Sequence, residues 1–194
     1  MAGWLCPDAE TIEWDGTIKA KRMKDNGTAP VQNNDIVNKA YVDNSINALS
    51  SGASRIHISK DAAQTLTDAV DTKIQYNDEQ YDNLGEYDNA TNYRFTAQQA
   101  GYYLVSASIN TANVAWTIDD SGRLGVYKNG VIDLYLERVE MQATITAFMQ
   151  LQGTDITYLD AGDYLEVYAL ITRGADTDTG ANAGYNYFKV HRLS

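Results

Sequence analysis

The side chains with which this sequence could do covalent chemistry are few: His57, His191 and Cys6, set against 26 acidic residues. Each histidine stands in an alternating run, Arg55-Ile56-His57-Ile58-Ser59 or Phe188-Lys189-Val190-His191-Arg192, with no nucleophile motif beside it. Catalysis requires a positioned acid, base or nucleophile. Both histidines therefore read as strand residues and the chain as non-enzymatic. A zinc site would need carboxylates at ligand spacing around so few His and Cys, and none stand so. Gly125-Val126-Tyr127-Lys128-Asn129-Gly130 has the glycine spacing of a phosphate loop, but Val131 occupies the position of its lysine. No cofactor is expected.

Two loops carry residue types suited to binding. Arg173 to Asn182 is Gly-containing, with closely spaced oxygen ligands, and makes Asp176 and Asp178 weak calcium candidates. The full calcium-loop pattern is missing, so a solvated loop is the simpler reading. Trp116 stands among Asn113, Thr117, Asp119, Asp120 and Ser121. An aromatic platform beside carboxylates and amides is how a sugar-binding surface stacks on a ring and bonds its hydroxyls. Trp116, Asp119 and Asp120, with Asn182 of the second loop, are the candidate ligand-binding residues. The alternative for Trp116 is a core side chain beneath a loop. Asp160 and Asp163 flank Ala161-Gly162 and read as a turn held by their own carboxylates.

Charge narrows the classes of partner. The formal net charge of -11 repels phosphate backbones, and the one basic cluster, Lys19, Lys21, Arg22 and Lys24, is short. No nucleic acid is expected, and the cluster reads as a solvated strand face or a docking patch. Cys6 alone cannot form an intrachain disulfide. Residues 1–20 lack a basic start followed by an apolar run, and no stretch approaches the roughly 20 apolar residues of a membrane span. Synthesis in a cytoplasm is expected, without membrane insertion. Assembly into a virus particle released by lysis is one route outward.

The elements that would position these residues divide the chain in three. Residues 1–34 alternate weakly around Ile12, Trp14 and Ile18, turn at Asp25-Asn26-Gly27, and form a docking arm too small for its own core. Residues 35–49 read as a short helix capped by Asn34, with Val42, Ile46 and Leu49 as a coiled-coil seam. A Ser50-Ser51-Gly52 linker follows, closing a stalk over 35–53. From residue 54 to 194 short alternating runs and turn residues recur, and Lys128-Asn129-Gly130 is a strong hairpin signal. Strands are expected at 102–109, 144–151, 155–159, 164–171 and 185–193, among others. The class is an all-β sandwich or barrel. Tyr164-Leu165-Glu166-Val167-Tyr168-Ala169-Leu170-Ile171 is apolar on both faces, and so is Tyr102-Tyr103-Leu104-Val105. A strand with one solvated face should not be. Tyr102, Tyr164, Tyr168 and Leu170 are therefore expected at a subunit interface, the alternative being a few exposed tyrosines of the kind monomers tolerate.

Lys73-Ile74-Gln75-Tyr76, Gly85-Glu86-Tyr87-Asp88, Arg94-Phe95-Thr96-Ala97 and Ala100-Gly101-Tyr102-Tyr103-Leu104-Val105 resemble the heads of the complement C-one-q and tumour-necrosis-factor superfamily. Lys128-Asn129-Gly130, Leu159-Asp160-Ala161-Gly162-Asp163-Tyr164-Leu165 and Phe188-Lys189-Val190-His191-Arg192-Leu193 keep the same order. The resemblance implies a jelly roll of about ten strands assembled as a homotrimer. Asn34-Asp35-Ile36-Val37-Asn38-Lys39-Ala40-Tyr41-Val42-Asp43 is similar to a segment of bacteriophage tail-fibre proteins.

Together the two resemblances imply a trimeric virion fibre or spike. Residues 1–50 would dock on other structural proteins of the particle, and the head would adhere to a host-surface glycan or protein. The alternative is a purely structural head fibre, decoration or adaptor protein of the virion.

Overall fold

The computed structural model describes residues 53–193. The arm over 1–34 and the expected helix, with its seam Val42, Ile46 and Leu49, lie outside these residues. Within them the alternating runs become strands, because a period of two puts every second side chain on the same face of a sheet. In chain order the strands are β1 (Arg55–Ser59), β2 (Thr65–Leu66), β3 (Thr72–Lys73), β4 (Asp78–Asp82) and β5 (Tyr87–Asp88). Next come β6 (Arg94–Thr96), β7 (Gly101–Asn110), β8 (Val114–Trp116), β9 (Ser121–Lys128) and β10 (Val131–Glu140). The last are β11 (Ile145–Ala147), β12 (Gln150–Leu159), β13 (Tyr164–Thr172), β14 (Thr177–Asp178) and β15 (Tyr187–Arg192).

Eleven of these form two facing layers. One sheet has five strands in the order β12-β7-β15-β1-β4. The other runs β10-β9-β13-β6-β5, with β3 added on β13 as its sixth strand. All pairings within both sheets are antiparallel. The chain crosses between the two sheets at β3–β4, β4–β5, β6–β7 and β12–β13, as in a jelly roll. The ribbons β8–β11 and β2–β14 lie at one end.

Between the layers Ile56, Ile58, Tyr103, Val105, Ala107, Ile109, Phe188 and Val190 meet Phe95, Leu124, Val126, Leu165, Val167, Ala169 and Ile171, all buried. Buried rings keep their polar ends bonded, as they must. The Tyr76 hydroxyl donates to the Ser108 carbonyl (3.0 Å), and the Tyr87 hydroxyl donates to the Tyr76 carbonyl (3.2 Å). Burial raises both phenol pKa values.

Two local devices fix the register. The β9–β10 hairpin turns through Asn129 (φ 53°) and Gly130 (φ 80°), the left-handed pair that a two-residue turn requires. Asn129 then clamps the neighbouring turn. Its amide donates to Asp163 Oδ1 (2.8 Å), and its Oδ1 accepts from the Tyr164 N–H (3.0 Å). Asp163 Oδ2 accepts from the Asp160 N–H (2.9 Å) and pairs with Lys128 Nζ (2.9 Å). At the open edge of the sandwich β12 comes against β10 at Gly153, where a Cβ would lie 2.5 Å from the Leu136 carbonyl oxygen.

One expected run divides. Residues 144–151 split into β11 and the start of β12, with the break at Phe148-Met149. The buried Met149 backbone turns to bond Thr111, donating to its Oγ1 and accepting from its N–H, both at 2.9 Å.

Gly153→Val should cost about 1–3 kcal/mol, because the added atoms meet backbone rather than a movable side chain. Urea unfolding measures this, and undiminished stability would show that β10 and β12 do not approach. The clamp also predicts a pH dependence. Hydrogen bonds from Asn129 and the Asp160 N–H, with the Lys128 charge, hold Asp163 down at about 2. Its contribution should be complete above roughly pH 4, the unfolded-state pKa. It should fade as pH falls from there towards 2. Asp163→Asn should therefore be less stable than the parent at pH 7, with the gap closing at pH 2.5.

Candidate functional site: an uncovered sheet face

Among the described residues nothing covers the outer face of the five-stranded sheet. Register places the outward side chains in rows. Tyr158 of β12 stands opposite Tyr102 of β7, and Ile156 stands opposite Leu104. His191 of β15 is the next neighbour of Leu104, and Arg55 of β1 follows. One row further on come Thr154, Ser106, Lys189, His57 and Tyr81. Tyr102 is 55% exposed, Tyr158 45% and Ile156 49%, an apolar group on adjacent strands. The Tyr102 and Tyr158 rings meet edge to face at 5.3 Å, so they form a fixed aromatic platform. Away from it the face turns polar: the Thr154 hydroxyl donates to Ser106 Oγ (2.9 Å). His57 lies between the edges of Tyr81 (5.8 Å) and Tyr187 (6.4 Å). Burial and the Lys189 charge hold its pKa below the ordinary value, against Asp78, which raises it.

Of the residues expected at an interface, Tyr102 lies on this face. Tyr164, Tyr168 and Leu170 lie on β13, in the other sheet, whose outer face points the opposite way. The four expected residues are thus divided between the outer faces of two sheets. Tyr164 and Tyr168 have partners within the subunit. β3 pairs alongside, with Lys73 opposite Tyr168. Lys73 Nζ reaches Glu166 Oε1 (2.8 Å), Tyr127 packs on Tyr168 at 4.3 Å, and the Arg94 guanidinium covers Tyr164 at 4.5 Å. Burial and the Glu166 charge push the Tyr168 pKa up to about 12. Sequence reasoning missed Leu104, Ile156 and Tyr158. The same two-sided signal in Asp155-Ile156-Thr157-Tyr158-Leu159 would have found the last two.

The two candidate binding loops share one end of the sandwich. The Ala112 N–H donates to the Asp178 carbonyl (2.7 Å), and Arg173 Nη2 donates to the Ala115 carbonyl (3.1 Å). Trp116, however, is 0% exposed. Its indole N–H donates to the Ala147 carbonyl (2.9 Å), and Arg173 lies 5.5 Å above its ring. It is a core residue beneath the loop, with no free face for stacking. The β8–β11 ribbon puts it there, pairing it with Ile145.

Its acidic neighbours hold turns. Asp120 accepts from the Thr117 N–H (2.7 Å), and Asp119 takes a left-handed conformation (φ 72°) that aspartate tolerates. Asp176 Oδ1 accepts from the Asp68 N–H (2.9 Å) and Asp178 Oδ1 from the Thr65 hydroxyl (2.7 Å), so the calcium candidates are bonded to the protein. Asn182 Oδ1 accepts from the Gly184 N–H (2.8 Å). Among the described residues no three His, Cys, Asp or Glu side chains converge as metal ligands. Elsewhere a shallow depression of about 300 Å³ is lined by Glu86, Asp88, Asn92 and Arg94. Its Asp88 carboxylate caps the N–H groups of Ala90, Thr91 and Asn92.

Comparison with known proteins agrees with this architecture. The described head is similar in structure to Eiger TNF from S. frugiperda, with a TM-score of 0.51 at 12% identity, over 73% of this chain and 93% of that one. Murine APRIL gives a TM-score of 0.52 at 12% identity, over 73% and 99%. The fold is thus a jelly roll of tumour-necrosis-factor type. In sequence the chain is 31% identical over 157 residues to the phage-like element PBSX protein XkdV of Bacillus subtilis (strain 168), covering 74% of this chain and 22% of the relative. The uncharacterized protein YqcC of the same strain is 29% identical over 151 residues, covering 74% and 40%. The chain thus spans about a fifth to two fifths of the length of these relatives. No family model matches.

Because Trp116 is packing, Trp116→Ala should lower stability by about 3–5 kcal/mol. Thermal melting would detect this as a large fall in midpoint. An unchanged midpoint would return Trp116 to the surface.

Proposed function

We propose that this chain is a subunit of a homotrimeric fibre or spike of a virus particle. The head would be held to other virion proteins through residues 1–50 and presented for adhesion to a host-surface glycan or protein. The observation that carries this reading is the uncovered face with Tyr102, Leu104, Ile156 and Tyr158. A contiguous apolar and aromatic face of this kind marks an interaction surface. The likeness to a protein of a phage-like element supports the virion setting, and the tail-fibre-like segment at 34–43 supports the division between arm and head. Trimerisation would cover the face and would place three heads side by side, so that weak contacts act together.

The chain enters the head beside β15, with Arg55 opposite His191, and the loops at 111–120, 141–149 and 173–186 lie at the other end of these strands. Those loops vary without disturbing the sheets and are the natural contact surface for a host molecule. A second reading, a purely structural head fibre or decoration protein, draws support from the burial of Trp116 and the internal bonding of Asp176 and Asp178. The two differ in one measurement. Purified head-bearing chain should compete with particles for adsorption to host cells if the head adheres, and should leave adsorption unchanged if it does not.

Sedimentation of the full chain at micromolar concentration should give a trimer, and a monomer would overturn the assembly reading. Tyr102→Asp should dissociate it while leaving the subunit folded, since Tyr102 is exposed before assembly. Placing a carboxylate in a dry contact costs about 3–5 kcal/mol. An intact trimer carrying this substitution would remove Tyr102 from the interface.

A further inference from the structure

Although the chain carries a net charge of -11, the uncovered face has a cationic block. β1 contributes Arg55 and β15 contributes Lys189, each opposite a histidine of the other strand, Arg55 opposite His191 and Lys189 opposite His57. Among the described residues neither Arg55 nor Lys189 is in a salt bridge. The acids of the adjoining edge strand β4 are largely engaged elsewhere. Asp82 accepts from the Leu84 and Tyr87 N–H groups, and Asp78 accepts from the Gln80 amide. Lys189 Nζ instead rests over the Tyr187 ring at 4.4 Å.

A second surface has the opposite charge. The flank formed by edge strands β10 and β12 exposes Val131 and Tyr135, with Leu134 and Leu136 half-buried behind them. It carries Asp133, Glu137 and Asp155. Among the described residues Asp155 Oδ1 accepts only from its own neighbour, the Ile156 N–H, and Asp133 accepts from the Thr157 hydroxyl. The flank's cation, Arg138, lies toward the far end of β10 and stands 4.0 Å from Glu140.

Symmetry separates the ways these surfaces can be covered. A twofold pairing joins a patch to itself, and here it would bring the cationic block of one copy against that of another. A closed ring of three must instead join two different patches on each copy. The chain has two such patches, both partly apolar and opposite in charge, which share strand β12. We propose that the cationic block of Arg55 and Lys189 receives the acidic β10–β12 flank of the next copy, and that this charge match sets the direction of the ring. The occupant of the face is thus a second copy of this chain. Like charges brought together disfavour the reversed or twofold arrangement, as complementary interfaces do generally.

The inference rests on the trimeric reading above, and block charge reversal in the full chain separates the two. Arg55→Glu with Lys189→Glu should raise the trimer dissociation constant at least tenfold, and so should Glu137→Lys with Asp155→Lys. All four substitutions together should return it to within about threefold of the parent, the coupling expected of facing charges. Circular dichroism and melting of the dissociated subunits confirm that each variant folds. Where a reversed block fails to fold, Lys189→Gln and Asp155→Asn replace it, and their combined effect must be smaller than the sum of the two. A parent trimer in which the blocks act additively overturns the charge match and leaves the trimeric reading standing. A monomeric parent overturns both.

Discussion

Phe95 and Tyr103, edge to face at 5.6 Å, begin a buried apolar layer that runs between the two sheets to Ile109, Leu151 and Ile171 near the other end. The rest of the molecule depends on keeping that layer dry. Every strand gives it alternate side chains, so every strand also sends the others outward. The layer can be sealed on two sides by sheets and at the ends by loops, but the edge where β10 meets β12 must be closed by close approach. Gly153 is there because the Leu136 carbonyl leaves no room for a side chain. At the loop end the seal is Trp116, held by Arg173 on one side and bonded to Ala147.

Sealing the interior leaves unequal outer faces. On the six-stranded sheet Tyr135 of β10 stays exposed, while Tyr164 and Tyr168 of β13 are partnered by Arg94 and by a network of Lys73, Glu166 and Tyr127. On the five-stranded sheet nothing among the described residues plays that part, and the platform of Tyr102 and Tyr158 stays open. The asymmetry of covering bears on assembly more directly than total apolar content does. Fourteen tyrosines are spread across the chain, but their rings differ in whether an intramolecular partner is already in place.

Charge adds direction to what apolar area leaves undirected. Hydrophobic contact is tolerant of orientation, whereas carboxylates and cations discriminate between arrangements. The segregation of Arg55 and Lys189 from Asp133, Glu137 and Asp155 comes from the crossing of strands between layers. Residues far apart in sequence, such as 55 and 189, become neighbours across β1 and β15. The same crossing brings the loops at 111–120 and 173–178 together, where Arg173 reaches the Ala115 carbonyl.

The sequence by itself determined the all-β class, most strand positions, the Asn129-Gly130 hairpin and the Asp160–Asp163 turn. These are local matters, set by a period of two and by residues that tolerate left-handed backbone. It also pointed to Tyr102 through the two-sided character of its strand. Only the tertiary structure decided that Tyr164, Tyr168 and Leu170 lie on the other sheet, and that Arg94 and Tyr127 pack on the first two. Alternation tells that a residue points outward, but not which sheet its strand joins or what lies above it. The fate of Trp116 was undecided for the same reason. An indole beside carboxylates reads as a binding platform or a plug according to whether Arg173, 57 residues further on, closes over it, and contacts at that separation are made by the fold alone.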